Sequence, residues 1–171
     1  MSLASPVIAP LAERDLPGCA ALMAGSEPWT RYGIDDRAAR ALWANALSER
    51  AEVVVARQGE ITCGFAWYIS RGAFGLSGYL KLLGVSREAR GRGVGRALLA
   101  HTERRALADG QDDLFLLVSD FNLAAQRFYQ AHGYQEIGAV ADYVCPGIAE
   151  LIYRKRLREE GCVRGIRAAW D

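Results

Sequence analysis

Two histidines are all that this chain of 171 residues contains. No HExxH motif frames His101 or His132, so a catalytic zinc site has no ligand set. The four cysteines stand singly at 19, 63, 145 and 162, with no CxxC pair. Isolated thiols of this kind belong to a reducing compartment. No apolar run approaches the ~18–20 residues that a membrane span needs. The N-terminal stretch MSLASPVIAPLAERD has no basic segment leading into an apolar one, which speaks against a secretory signal. A surplus of one charge is missing too: 21 Lys and Arg stand against 20 Asp and Glu, a net charge of +1. That is far from the basic excess of a nucleic-acid binder. These absences predict a cytoplasmic protein with no metal, no membrane partner and no nucleic acid.

What is present is ordinary globular composition, 51% hydrophobic and 24% charged, in a length that predicts one domain over 1–171. No repeat or low-complexity linker interrupts it. Residues 6–11 read as a strand that its prolines confine to a sheet edge. Asp15-Leu16-Pro17 opens a helix running to about Ala24. Asp35-Asp36 opens a second, with Ala38, Ala41, Leu42 and Leu47 at roughly helical spacing. Val53–Ala56 and Ile61–Ser70 form a hairpin about Gln58-Gly59. Tyr79–Val85, a helix over Val94–Ala108, a strand over Leu114–Val118 and a helix over Asn122–His132 follow. Tyr134–Ala141 and Glu150–Leu157 close the chain as an antiparallel pair, and the residues after about 157 are an extension without clear period. This order predicts a mixed α/β (α+β) sheet.

The most informative stretch runs from Leu82 to Leu99. A buried strand feeds Arg90-Gly91-Arg92-Gly93-Val94-Gly95-Arg96, which becomes a helix. Glycines at 91, 93 and 95 let the backbone adopt positive φ and approach a ligand. The unpaired N–H groups and positive dipole end of the first helical turn attract an anion, and Arg90, Arg92 and Arg96 add charge. The physical reading is a diphosphate cradle. No GK[ST] follows these glycines, which disfavours a P-loop. The GxGxxG of a dinucleotide site fails at Arg96 or Leu98.

Arg90-x-x-Gly93-x-Gly95 resembles the (Q/R)xxGx(G/A) signature of the GNAT superfamily of N-acetyltransferases, whose loop binds the pyrophosphate of acetyl-CoA. Farther on, Asn122-Leu123-Ala124-Ala125-Gln126-Arg127-Phe128-Tyr129-Gln130-Ala131-His132-Gly133-Tyr134 resembles the same family's NxxAxxFYxxxGF, with tyrosine in the last place. Asn122 and Tyr129 are about 700° and ~10 Å apart on a helix, hence on one face. The resemblance covers about Glu52 to Tyr134. A looser echo in Glu27-Pro28-Trp29 is similar to the ribosomal-protein N-terminal acetyltransferases.

The resemblance implies a GNAT-like fold whose two central strands, here Tyr79–Val85 and Leu114–Val118, splay apart around acetyl-CoA. It implies main-chain contacts from Leu83 and Val85, an Asn122 hydrogen bond to the pantetheine arm, and Tyr129 at the sulfur. Val85 N–H is then the candidate to stabilise the carbonyl oxygen, and Tyr129 to serve the departing thiol. Cys63 and Cys145 fall outside these motifs and read as structural.

The general base is missing from its usual places. The position five before the asparagine is Leu117, and the strand Tyr79–Val85 contains no acid. Glu27, Asp35, Asp36, Asp120 and His132 remain candidates, and none is assigned. Trp29, Tyr32, Trp67, Tyr68 and Tyr143 could line an acceptor pocket or belong to the core. Aromatic walls with few acids favour an acceptor that is not a polycation. The implied activity is acetyl transfer from acetyl-CoA to an unidentified primary amine. The alternative is a catalytically weak acyl-CoA-binding sensor or partner module. Exposed strand edges leave a homodimer open.

Overall fold

The computed structural model describes residues 6–158. Among them lie β1 (Val7–Pro10), α1 (Leu16–Ala24), α2 (Asp36–Ser48), β2 (Val53–Gln58), β3 (Ile61–Ala73), β4 (Ser77–Val85), α3 (Val94–Ala108), β5 (Asp113–Ser119), α4 (Leu123–Ala131), β6 (Gln135–Ala141) and β7 (Ala149–Arg156). The strands are hydrogen-bonded in the order β1-β2-β3-β4-β5-β7-β6. This is the mixed α/β sheet that the element order predicts. The described residues fall into two compact units, one of 6–68 and 82–102, the other of 69–81 and 103–158. The extension expected after about 157 lies almost wholly outside the described residues.

In the first unit, β1 pairs antiparallel with β2, Pro10 opposite Val54. It stands first in the strand order, where a residue without an N–H can be accommodated. Trp43, fully buried, packs its ring 4.5 Å from Phe65 and 6.1 Å from Trp67. Trp29 lies 5.5 Å from Phe65. Gly84 makes this cluster possible: a Cβ there would sit 2.6 Å from Phe65 Cζ and 2.8 Å from Trp29 Cη2. The stripe that α2 buries is Ala39, Trp43 and Ala46. The sequence reading erred there, because Ala38 and Ala41 are exposed. A tryptophan contributes far more apolar area than an alanine, and it sets the rotation of the helix.

A buried ion pair ties α1 to the hairpin. Arg57 donates Nε to Asp15 Oδ1 at 2.6 Å and its Nη2 to Oδ2. Thr62 Oγ1 and the Ala12 amide also donate to Asp15, each at 2.9 Å. Burial alone would push the Asp15 carboxyl up, but these hydrogen bonds and the Arg57 charge outweigh it and hold it below the usual carboxylate range. A depressed folded-state pKa contributes stability above the unfolded value and loses it as pH falls through the folded one. Asp15→Asn is therefore expected to destabilise the protein at pH 7 by on the order of 3 kcal/mol, leaving Arg57 uncompensated. Thermal unfolding at pH 7 and below about pH 4 checks this, the gap from wild type narrowing in acid.

The second unit is built on β5. It pairs parallel with β4 at Gly78↔Leu114, Tyr79↔Phe115 and Leu80↔Leu116. It pairs antiparallel with β7 from Asp113↔Arg156 to Ser119↔Glu150. Past Leu80↔Leu116, the last β4–β5 pair among the described residues, β4 runs on to Val85 and β5 to Ser119. Leu114, Leu116 and Val118 are buried while Phe115 and Leu117 are half-buried, the alternation of a strand with unlike faces. Gly133 closes α4 with φ 85°. Tyr134, 2% exposed, hydrogen-bonds Glu103 at 3.1 Å. Lys155 donates to the same carboxylate at 2.9 Å. That partner explains how a tyrosine fits where the family pattern has phenylalanine.

Candidate functional site

In the first unit, β4 delivers the chain to the glycine turn. Ser86 N–H donates to the Cys63 carbonyl at 2.9 Å, pinning the strand end. Arg90 folds back, its Nε 3.2 Å from the Val85 carbonyl. Gly91 and Gly93 have φ 73° and 80°, the left-handed conformation expected of them, and a Cβ at either would meet nothing within 4 Å. Gly95 differs: it lies inside α3, so a positive φ is not what places glycine there.

The helix is seated by its neighbours. Val94 is 1% exposed. Gly64 on β3 admits α3 closely, since a Cβ there would come within 3.0 Å of Leu98 Cδ1 and 3.2 Å of Val94 Cγ1. Within α3 the Ala97 amide bonds to the Gly93 carbonyl at 2.9 Å. The preceding amides, of Val94, Gly95 and Arg96, have no acceptor within the helix. They sit at its positive end, with Arg90, Arg92 and Arg96 exposed around them. Chemically this is a set of donors and positive charge that attracts an anion.

In the second unit, Asn122 is the N-cap of α4, its Oδ1 accepting from Ala125 N–H at 3.2 Å. It lies just before the first helical residue, so the two-turn spacing to Tyr129 starts from the cap. The cap uses the side-chain oxygen and leaves the amide N–H pair for another acceptor. Tyr129 is 7% exposed. Its ring packs 5.2 Å from Phe128 and 5.6 Å from Tyr134. Burial, with the Tyr79 phenol nearby, raises its pKa well above that of a free tyrosine. The phenol is a protonated donor at any ordinary pH.

Each candidate base already has work in the fold. Glu27 pairs with Arg31 at 3.4 Å, and Asp36 with Arg40 at 2.6 Å. Asp35 caps α2 through the Ala38 amide at 2.7 Å. Asp120 accepts from the Ala149 amide at 3.1 Å. His132 Nδ1 lies 2.7 Å from the Phe128 carbonyl. Of the aromatic wall residues, Trp29, Trp67 and Tyr68 are buried core, Tyr32 is half-buried and Tyr143 is exposed. Cys63 is 3% exposed with Sγ 3.2 Å from the Ala56 carbonyl, and burial raises its pKa. An inert thiol is what a structural cysteine requires.

Two residues that the sequence reading left without a role follow from Tyr129: Tyr79 is its electrostatic neighbour, and Glu150 is in turn a neighbour of Tyr79. Tyr79, on β4, is pushed up to about 12 by burial and by the neighbouring Tyr143 and Glu150. Glu150, on β7, is 5% exposed. The signal was present as a lone acid opening the apolar run Glu150-Leu151-Ile152.

The model of the acetyltransferase (GNAT) family matches residues 14–134. The chain belongs to the GNAT acetyltransferase family. Among curated GNAT relatives it is 38% identical over 96 residues to a mycothiol acetyltransferase of Thermobispora bispora, covering 52% of this chain and 28% of that one. The chain thus spans little more than a quarter of that relative's length. A ribosomal-protein-alanine N-acetyltransferase of Brucella melitensis superposes with a TM-score of 0.70 at 24% identity, over 88% of this chain and 99% of that one. The yncA protein of Salmonella typhimurium, solved with its cofactor acetyl-CoA, gives 0.70 at 15% identity, over 94% of this chain and 98% of that one. Both share the GNAT fold. Among the described residues no helix is long and apolar enough to cross a membrane.

Proposed function

We propose that this GNAT member is an N-acetyltransferase that moves the acetyl group of acetyl-CoA to a primary amine by direct attack. The observation that carries the reading is the turn at 90–96. It presents two left-handed glycines with open space above them and three helix-start amides among exposed arginines. A pyrophosphate would match those donors in charge. Leu83 and Val85, at the end of β4, would give main-chain hydrogen bonds to the pantetheine arm, and the Asn122 amide a further one. The Val85 N–H would oppose the charge that develops on the thioester oxygen.

Tyr129 would hold its proton toward the departing sulfur. Its raised pKa makes complete transfer to a thiolate costly, so hydrogen bonding is its main contribution. Most of the rate would come from holding two reactants together, since no covalent enzyme intermediate is needed. We read 1–171 as one acetyltransferase domain, and its isolated thiols, Cys19 and Cys63 among them buried, support a cytoplasmic setting. The test is release of free CoA from acetyl-CoA across a panel of primary amines. Amine-dependent release is the expected result. Binding of acetyl-CoA without release on any amine would instead favour a sensor module.

A further inference from the structure

The β4–β5–β7 part of the second unit has two unlike faces. Tyr79 pairs with Phe115, Leu117 with Ile152 and Ser119 with Glu150, so all six side chains project to one face. On the opposite face Leu114, Leu116 and Tyr153 are at most 1% exposed. The first face is partly open: Tyr79, Phe115, Leu117 and Ile152 are half-buried. It is largely apolar and aromatic, with Lys81, two residues beyond Tyr79 on β4, on the same face and one acid at its far end.

Arg154, Lys81 and Glu150 on this face all interact within the chain. Arg154, level with Phe115, hydrogen-bonds Asp113 at 2.8 Å and stands 6.0 Å over the Phe115 ring. Its charge is balanced from within the sheet. Glu150 is 5% exposed at the other end, where withdrawal from bulk water strengthens attraction to a cation. Glu150 interacts elsewhere in the chain as well, and a carboxylate has lone pairs enough to hold a ligand besides. Tyr79 lies within electrostatic reach of both Glu150 and Tyr129. The face therefore borders the tyrosine assigned to the leaving sulfur.

We propose that this face is the acceptor site, where Glu150 binds the ammonium of a monoamine whose apolar body lies over Leu117, Ile152 and Phe115. The assignment rests on the acetyl-transfer reading above and names its substrate class. A second ammonium on the acceptor would have to be desolvated over apolar side chains, which disfavours polyamines. The attacking form is the neutral amine left when that ammonium loses a proton to solvent, so Glu150 is here a binding and specificity-determining residue.

The test uses the full chain saturated with acetyl-CoA, with 2-phenylethylamine and spermidine as acceptors. The expected kcat/KM favours 2-phenylethylamine by about tenfold or more. Glu150→Gln should raise KM for 2-phenylethylamine about tenfold or more, changing kcat less and leaving calorimetric acetyl-CoA affinity as in wild type. Should that variant not fold, the wild type still decides. 2-Phenylethanol, equal in shape but uncharged, should compete at least about tenfold more weakly than the amine binds. A preference for spermidine, an unchanged KM in folded Glu150→Gln, or equal competition by the alcohol overturns the proposal. Loss of acetyl-CoA binding in the wild type would instead overturn the functional reading itself.

Discussion

Tyr129→Phe is expected to lower kcat by about a hundredfold or more, the scale of a lost proton donor in the transition state. The Kd for acetyl-CoA should stay near the wild-type value, because the ring and its packing on Phe128 and Tyr134 are kept. The removed hydroxyl is proposed to act where charge appears on sulfur, and a group acting there changes turnover rather than ground-state affinity. A second signature follows from the surroundings of Tyr129. Burial first, then the Tyr79 phenol, lift its pKa beyond that of a free tyrosine. A raised pKa means that the proton is lost only at higher pH, so no limb from Tyr129 ionisation should appear in the wild-type pH–rate profile below about pH 10. Steady-state CoA release and a calorimetric titration of both proteins check both points. Equal kcat values would remove Tyr129 from its role.

Gly93→Asp is expected to weaken acetyl-CoA binding by about a hundredfold or more, roughly 3 kcal/mol. Two effects act together. At φ 80° a side chain strains the turn, and a carboxylate brings negative charge to donors proposed to hold a diphosphate. Gly93→Ala separates the two, because it brings the strain without the charge and should cost much less affinity. Both changes should lower Tm by a similar amount, about a few degrees, since a side chain at φ 80° is strained although a Cβ there meets nothing within 4 Å. A calorimetric titration of each variant reads the affinity and a thermal melt the stability. Wild-type affinity in Gly93→Asp would separate the turn from the cofactor.

Much of this was legible in local pattern, for physical reasons. The Gly93-x-Gly95 turn, the Gly133 stop and the Asp35 cap act on the backbone within a few residues, and their elements formed where expected. The burial stripe of α2 was misjudged because Trp43 finds its partners, Phe65 and Trp67, on a strand more than twenty residues away. The pairing of Asp15 with Arg57 spans 42 residues and leaves no local trace. Glu150 was passed over for the same cause. Its place on one sheet face with Tyr79 depends on a parallel and an antiparallel ladder meeting at β5, which no spacing along the chain encodes. The four acids and one histidine that sequence did nominate stand in turns, caps and helix ends, where local geometry already uses them.

The most direct measurement of the central claim is a calorimetric titration of the intact wild-type protein with acetyl-CoA and, separately, with free CoA. Saturable heat at one site per chain is the predicted result, with affinity that falls as salt screens the arginines around the glycine turn. Absence of heat with both the thioester and the free thiol would contradict the account at its base.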